Sequence, residues 1–346
     1  MNNLANPMAP WLLRQLQQLR QHRGHALLLA GPSGLGQYEL ALGLARAWLC
    51  EMPGDDGACG QCPSCHAIDV RTHADLCVLM PETVALDLGW PLDESAQKEI
   101  DDKKRKPSKL IRVEAARQAI AFAQMSHARG RGKVVLVYPA DRMNIEAANT
   151  LLKTLEEPVG EVRFVLATEA AHQLLPTIRS RCQSHLMQWP DTEEAVSWLQ
   201  QQWARQTGPV SVDPDQAHTL LRASGGRPAD ALMLAAQGIR ADVWDRLPAA
   251  IAQGDWRAMS DWPPARQLDV LHKLCHDLLA MTSGGQPRYF EAASLPGHAH
   301  PQRLAAWARE LMQATRTVEH PFQPGLLQEA WAARARQVLS RYTKNS

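Results

Sequence analysis

Four of the seven cysteines crowd into one short stretch, Cys50, Cys59, Cys62 and Cys65, with the spacing C-x8-C-x2-C-x2-C. Four thiolates this close, in a chain read as belonging to a reducing compartment, match a tetrahedral structural zinc site. Closed sulfur coordination leaves no position for water, so such a metal pins a loop rather than catalyses. An iron–sulfur run fits less well: it needs a further Cys three residues beyond Cys65, followed by Pro, and none is there. His66 and His73 stand close enough in sequence to replace one sulfur, although surface positions are the simpler reading for both. Cys77 and Cys275 fall inside apolar segments and read as packing residues. Glu51, Asp55 and Asp56 make the cysteine segment a poor match for nucleic acid.

A second constellation is Gly31-Pro-Ser-Gly-Leu-Gly36, followed by Gln37 and Tyr38. A working phosphate loop reads G-x-x-x-x-G-K-[ST]: backbone amides cradle the phosphates, the Lys neutralises charge and the hydroxyl holds magnesium. Gly31 and Gly36 keep the two glycines, but Gln37 has no charge and Tyr38 is too large for the metal-ligand position. The second half of an ATPase site, an acidic pair at the end of a strand, is also missing. After Lys133–Tyr138 the chain reads Pro139-Ala140, and the single Asp141 beyond them is expected to serve a turn or cap. These two losses predict a vestigial loop, with no ATP hydrolysis by this chain alone.

The elements that must position these residues can be traced from hydrophobic period. His25–Ala30, Leu76–Met80, Lys133–Tyr138, Val162–Thr168 and Ser184–Gln188 read as strands. Pro10–Arg20, Gln37–Leu49, Val113–Met125, Ile145–Glu157 and Leu174–Arg179 read as helices. The alternation implies an α/β core, a parallel sheet with helices on both faces. Residues 81–109 show no apolar period and read as a solvated loop ending in the charged run Asp101–Lys109. After Trp189-Pro190 only helical periods remain. The expected organisation is an α/β core over 1–189 with the cysteine insert at 50–65, a small helical domain over 190–240 and an all-α C-terminal domain over 241–346.

Composition sets outer limits. Hydrophobic residues are 45% of the chain and charged residues 21%, enough for a packed core in each domain. Lys plus Arg is 37 against 36 for Asp plus Glu, a net charge of +1, which argues against a stand-alone polyanion binder but permits a local basic patch. No apolar run is long enough to span a membrane, and Met1–Gln21 lacks a signal-peptide pattern, so a cytoplasmic location is expected.

Two further motifs carry a family resemblance. Asn149-Thr-Leu-Leu-Lys-Thr-Leu-Glu-Glu-Pro158 is similar to the clamp-loader helix N-x-L-L-K-x-L-E-E-P, and Ser180-Arg181-Cys182 to the clamp-loader S-R-C motif. With the four-Cys insert and the eroded loop, the chain resembles the delta-prime subunits of bacterial DNA polymerase III clamp loaders, which are AAA+ proteins. The resemblance covers roughly residues 25–235. It implies an AAA+ core, a helical lid and a helical collar that joins a five-subunit ring.

The implied partners are the motor (gamma/tau) and delta subunits, with the sliding clamp and primed-template DNA reached through the complex, at replication forks. It also implies that Arg181 reaches a neighbour's ATP as an arginine finger in trans. Arg179 is the alternative, while Ser180 and Cys182 shape the turn. Active motors carry a lid arginine where this chain has Ala229, within Gly226–Leu232. Arg227 lies nearby but out of register, with a helix-start role as its simpler reading. Catalysis would then belong to the neighbours, and a DNA polymerase activity would attach to this chain only through holoenzyme membership.

Two other readings are a self-contained AAA+ ATPase with a non-standard site and a zinc-dependent nucleic-acid-binding module. The Lys103–Lys109 cluster could touch DNA, although Asp101 and Asp102 beside it favour a plain solvated loop.

Overall fold

The computed structural model describes residues 8–207, 213–297, 300–318 and 324–340. The first seven residues of the Met1–Gln21 segment lie outside the described residues, as do short stretches of the 190–240 and 241–346 segments. The chain divides into two compact units, Met1–Pro190 and Asp191–Ser346.

The first unit is built on five parallel strands, β1 (Ala26–Ala30), β2 (Leu76–Leu79), β3 (Lys133–Val137), β4 (Val162–Thr168) and β5 (Gln183–Leu186), in the order β2-β3-β4-β1-β5. Its helices are α1 (Pro10–Leu19), α2 (Gln37–Leu49), α3 (Pro63–Asp69), α4 (Glu82–Asp87), α5 (Glu94–Asp101), α6 (Val113–Gln124), α7 (Ile145–Glu156) and α8 (Pro176–Arg179).

Strand side chains alternate between faces. Leu28 and Ala30 of β1, Val135 and Val137 of β3, and Phe164 and Leu166 of β4 share one cluster with Ala119 of α6, Leu151 of α7 and Ile178 of α8. The intervening Leu27, Leu29, Val134, Leu136 and Val165 are equally buried on the other face, where α2 packs on β1, β3 and β4. Covering both faces explains why His25–Ala30 reads as an unbroken apolar run rather than an alternating one.

The 81–109 segment departs from expectation. It holds two helices, α4 and α5, where a loop was expected. None of the α5 side chains is buried, so no apolar stripe announces it. Asp93 caps it by accepting from Ser95 N at 3.0 Å. Arg105 then ties the segment together, reaching Glu82 at 2.5 and 2.8 Å and Glu99 at 2.7 Å. Apart from the buried Ala85 of α4, it is polar bonds that order this region, and a hydrophobic-period reading is blind to them.

The second unit is helical throughout its described residues: α9 (Thr192–Thr207), α10 (Pro214–Ala223), α11 (Pro228–Ala236), α12 (Ala241–Gln253), α13 (Pro264–Thr282), α14 (Pro301–Thr315) and α15 (Pro324–Leu339). One apolar cluster runs from Ala195 of α9 to Leu339 of α15, with Trp244 stacked on Phe290 at 5.0 Å. The fully buried Asp277 accepts from the backbone N–H groups of Arg288, Tyr289 and Phe290 at 2.8–2.9 Å.

Candidate functional site

The phosphate-type loop joins β1 to α2. Gly36 has φ +96°, which L side chains rarely adopt, and a Cβ there would lie 2.6 Å from Leu12 Cδ1. A Cβ on Gly31 would lie 2.8 Å from Met187 Cβ. Both glycines are therefore demanded by the turn and its packing. Gln37 is 2% exposed, and its Nε2 donates to the carbonyls of Gly31 at 2.8 Å and Pro32 at 2.7 Å. The amide closes the loop on itself where a Lys would present charge to a phosphate. Helix α1 lies on the same loop, with Trp11 Nε1 donating to Leu35 O at 3.1 Å.

Tyr38, at the expected metal-ligand position, is also buried. Its hydroxyl accepts from Trp90 Nε1 at 2.6 Å and from Arg71 at 3.4 Å, and its ring lies 5.3 Å from that of Tyr138. Burial raises its phenol pKa, so it stays protonated. Past β3, Asp141 sits in a short 3-10 turn, Ala140–Arg142. Its Oδ1 accepts from Thr168 Oγ1 at 2.5 Å, and its Oδ2 lies 3.7 Å from Arg142 Nε.

The second group of residues lies at the other end of the sheet. Arg181 follows α8 and comes two residues before β5. The register pairs Leu27 with Gln183 and Ala30 with Leu186, so the strands begin near Arg181 and end near Gly31. At about 3.3 Å per residue, the five residues of β1 put roughly 16 Å of strand between the two ends.

Arg181 donates through Nε and NH2 to Glu156 Oε2 at 3.2 and 2.9 Å, and through NH1 to Thr177 O at 3.0 Å. Glu156 and Glu157 close α7 at its negative dipole end, where a cation is favoured. Arg179 and Ser180 are exposed, and Ser180 Oγ donates to Thr177 O at 3.1 Å. Burial pushes the Cys182 thiol up to about 11, which makes it a packing group rather than a nucleophile. Along α7, Ile145, Asn149, Lys153 and Glu156 are all exposed, three or four residues apart, and so share one face.

The sulfurs of Cys50, Cys59, Cys62 and Cys65 all lie within 4.8 Å of one another. The Cys50–Cys62 and Cys50–Cys65 separations are 3.8 and 3.7 Å. A tetrahedron with metal–sulfur bonds of about 2.3 Å has edges of about 3.8 Å, so these spacings suit a four-sulfur metal site. Backbone N–H groups of Cys59, Cys62 and Cys65 point at Cys50, Cys59 and Cys62 sulfurs at 3.3–3.4 Å. The four cysteines can hold a metal ion. His66 is exposed. His73 is not on the surface as expected but 6% exposed, with Nε2 2.5 Å from Ser64 Oγ and Nδ1 accepting from Asp75 N at 3.0 Å. Both ring nitrogens are occupied, so His73 braces the segment from behind.

In the second unit, Arg227 is the N-cap residue of α11. Its Nε donates to Ser224 O at 2.7 Å and lies 2.9 Å from Asp230 Oδ2. Ala229, the position of the missing lid arginine, is exposed.

Three contributors escape a reading from sequence. Gln15 is fully buried, and its Oε1 accepts from Gln188 N at 2.9 Å and lies 2.9 Å from His185 Nε2, tying α1 to the end of β5. Trp90 reaches Tyr38, next to the glycine loop, from a segment read as loop. Glu156 sits inside a quoted motif, but its pairing with Arg181 spans 25 positions.

A five-stranded parallel sheet with helices on both faces, a glycine loop after β1 and a helix α7 whose sequence is similar to a clamp-loader motif fit the class of an AAA+ core, with Gln37 and Tyr38 where a working phosphate loop has Lys and Ser or Thr. Comparison with known proteins is more specific. The profile of the family described as "DNA polymerase III, delta subunit" matches residues 9–190. DNA polymerase III subunit delta' of Escherichia coli (strain K12) is 32% identical over 321 residues, covering 86% of this chain and 85% of that one. Its counterpart in Pseudomonas aeruginosa is 36% identical over 234 residues, covering 67% of this chain and 62% of that one.

The E. coli tau subunit is 31% identical over 215 residues, 62% of this chain and 29% of that one. Among solved structures, a gamma subunit-related protein of Thermotoga maritima aligns over 94% of this chain and 99% of its own, at 16% identity and a TM-score of 0.46. The chain belongs to the DNA polymerase III delta' family.

Proposed function

We propose that this chain is a non-hydrolysing subunit of the DNA polymerase III clamp loader. It assembles with motor (gamma/tau) and delta subunits, helps load the sliding clamp onto primed DNA in the cytoplasm, and supplies Arg181 to a neighbour's ATP site. The observation that carries this reading is the placement of Arg181 at the strand-start end of the sheet, opposite its own closed loop. An arginine there is badly placed for a nucleotide on its own chain and well placed for one on an adjoining chain. Glu156 holds it ready in the unassembled chain, in a pair exposed enough to be exchanged for phosphate.

Residues 190–240 serve as a lid and 241–346 as a collar within the helical unit. The four cysteines hold one structural zinc ion, which neutralises their thiolates and fixes the chain between α2 and α3. Gln37, Tyr38, Pro139 and Ala140 supply none of the charge or metal ligands that hydrolysis requires.

The test is DNA-stimulated ATP turnover by a reconstituted clamp loader with wild-type chain, Arg181→Ala, or no chain. Wild type raises turnover, while Arg181→Ala assembles but loses part of the gain. Turnover by the isolated chain, or failure to join the motor subunits, would overturn the proposal.

A further inference from the structure

Strand β2 closes the sheet on the side opposite β5, and no strand lies along its outer edge. In the β2–β3 ladder Val134 N donates to Asp75 O and Tyr138 N to Leu79 O, at 2.9 Å each. Parallel pairing turns alternate residues toward the same neighbour, so Asp75, Cys77 and Leu79 face β3 while Val78 aims its N–H and C=O outward. Neither group has a hydrogen-bond partner among the described residues.

A cavity of about 480 Å³ lies along this edge, lined by Leu76, Val78 and Met80. Arg71 and Trp90, which stand with Tyr38 of α2 on one face of the sheet, also line it. So do Glu114, Ala115 and Gln118 of α6, the helix that covers the other face. Covers of opposite faces meet in one cavity only beyond the last strand, so the space wraps around the edge of β2. Its volume falls within the roughly 300–1,000 Å³ typical of ligand pockets.

The charges around the cavity balance. Arg105 is held by Glu82 and Glu99, Asp93 is spent on capping α5, and the exposed Arg112 and Glu114 are one of each sign. Charge therefore selects neither an anion nor a cation. Val78 instead offers one free donor and one free acceptor, the pair that an extended backbone complements, beside the apolar surfaces of Ala85, Trp90, Leu92 and Ala96. Main-chain bonds to a strand edge give affinity, and pockets for alternate side chains give selectivity.

We propose that this groove takes an extended peptide segment of a partner protein as a sixth strand beside β2. The peptide backbone bonds Val78, and an apolar side chain packs against Trp90 and Leu92. The ties of Arg105 to Glu82 and Glu99 hold the outer wall in place beforehand, which lowers the ordering cost of binding.

The test selects short peptides from a displayed random library on the full-length chain, then measures the synthesised peptides by anisotropy and amide exchange. Enriched peptides alternate apolar and polar residues, slow exchange at the Val78 amide and leave the β5 amides unchanged. Val78→Pro removes the outward N–H but no ladder bond, a change that edge strands tolerate. Ala96→Trp fills the groove from α5, where no side chain is fully buried. Melting curves report whether the variants fold, and each folded variant loses about tenfold or more in affinity. No enrichment above background, protection that misses Val78, or undiminished binding by a folded Val78→Pro would overturn the proposal. If Val78→Pro does not fold, undiminished binding by Ala96→Trp overturns it instead.

Discussion

Arg181 and Gln37 both turn inward in the free chain, with opposite consequences. Gln37 is buried and spends its amide on two loop carbonyls. Arg181 is 28% exposed and its partner Glu156 58%, so their pair contributes at most about 1 kcal/mol to the fold. Arg181→Ala is therefore expected to lower stability by no more than that while reducing ATP turnover in the assembled loader. Denaturant unfolding of the variant, run beside the turnover assay, separates the two effects. Arg181→Lys should not restore turnover, because a single ammonium lacks the planar fork that grips phosphoryl oxygens. The thiols at Cys77, Cys182 and Cys275 are pushed up to about 11, 11 and 12 by burial, so alkylation of the native chain at neutral pH should spare all three.

At the level of elements, the cysteine segment and the 81–109 segment are held by different chemistry. Between α2 and α3 the sulfurs stand at metal-site spacing, and removing the metal would leave four close thiols without a common ligand. One equivalent of zinc is expected in the purified chain. Its removal by chelator should lower the melting temperature, and Cys62→Ser should do the same without chelator; elemental analysis with calorimetry checks both. The 81–109 segment docks beside the glycine loop through Trp90 and Tyr38. Tyr38→Phe strips the indole N–H of its acceptor at a cost of about 1–3 kcal/mol, measurable by denaturant unfolding. It should leave nucleotide binding unaffected, because the position holds no metal ligand in either form.

For the molecule as a whole, pH acts through histidines that are buried or half-buried. His73, His185 and His272 are lowered from 6.5 chiefly by burial, and His22 by burial and then by Arg163 and His25. The unfolded chain therefore takes up protons near pH 6.5 before the folded one does. Their stabilising contribution is complete above that pH and is lost as pH falls below it. Glu82 is lowered from 4.5, mainly by its hydrogen bond to Arg105, so its contribution holds above 4.5 and fades below. Melting temperature should fall in two stages on acidification, the first below pH 6.5 and the second below 4.5. In the helical unit, Asp277→Ala leaves three backbone N–H groups without their carboxylate and should cost about 3 kcal/mol or more, read from the same unfolding curves.

Much of this protein is written locally in its sequence. The strand at Ala26–Ala30 is legible because five buried residues in a row leave no other reading once both faces are covered. The cysteine spacing is legible because metal ligands close in sequence fold back on one point. The loss of loop chemistry at Gln37 and Tyr38 follows from side-chain charge and size alone.

Tertiary structure decided what depends on partners distant in the chain. Sequence leaves His73 as a surface candidate, and only folding brings Ser64 and Asp75 to its two nitrogens. Helix α5 has no fully buried side chain and only Ala96 and Ile100 as apolar residues on its half-buried face, too few to stand out in the sequence, yet Arg105 joins Glu82 to Glu99 and orders the segment. The placement of Arg181 opposite its own loop comes from the β1–β5 register, which pairs residues more than 150 positions apart. Local pattern reports backbone preference and burial. Hydrogen-bond and ion-pair geometry between remote segments exists only once the sheet has set their spacing.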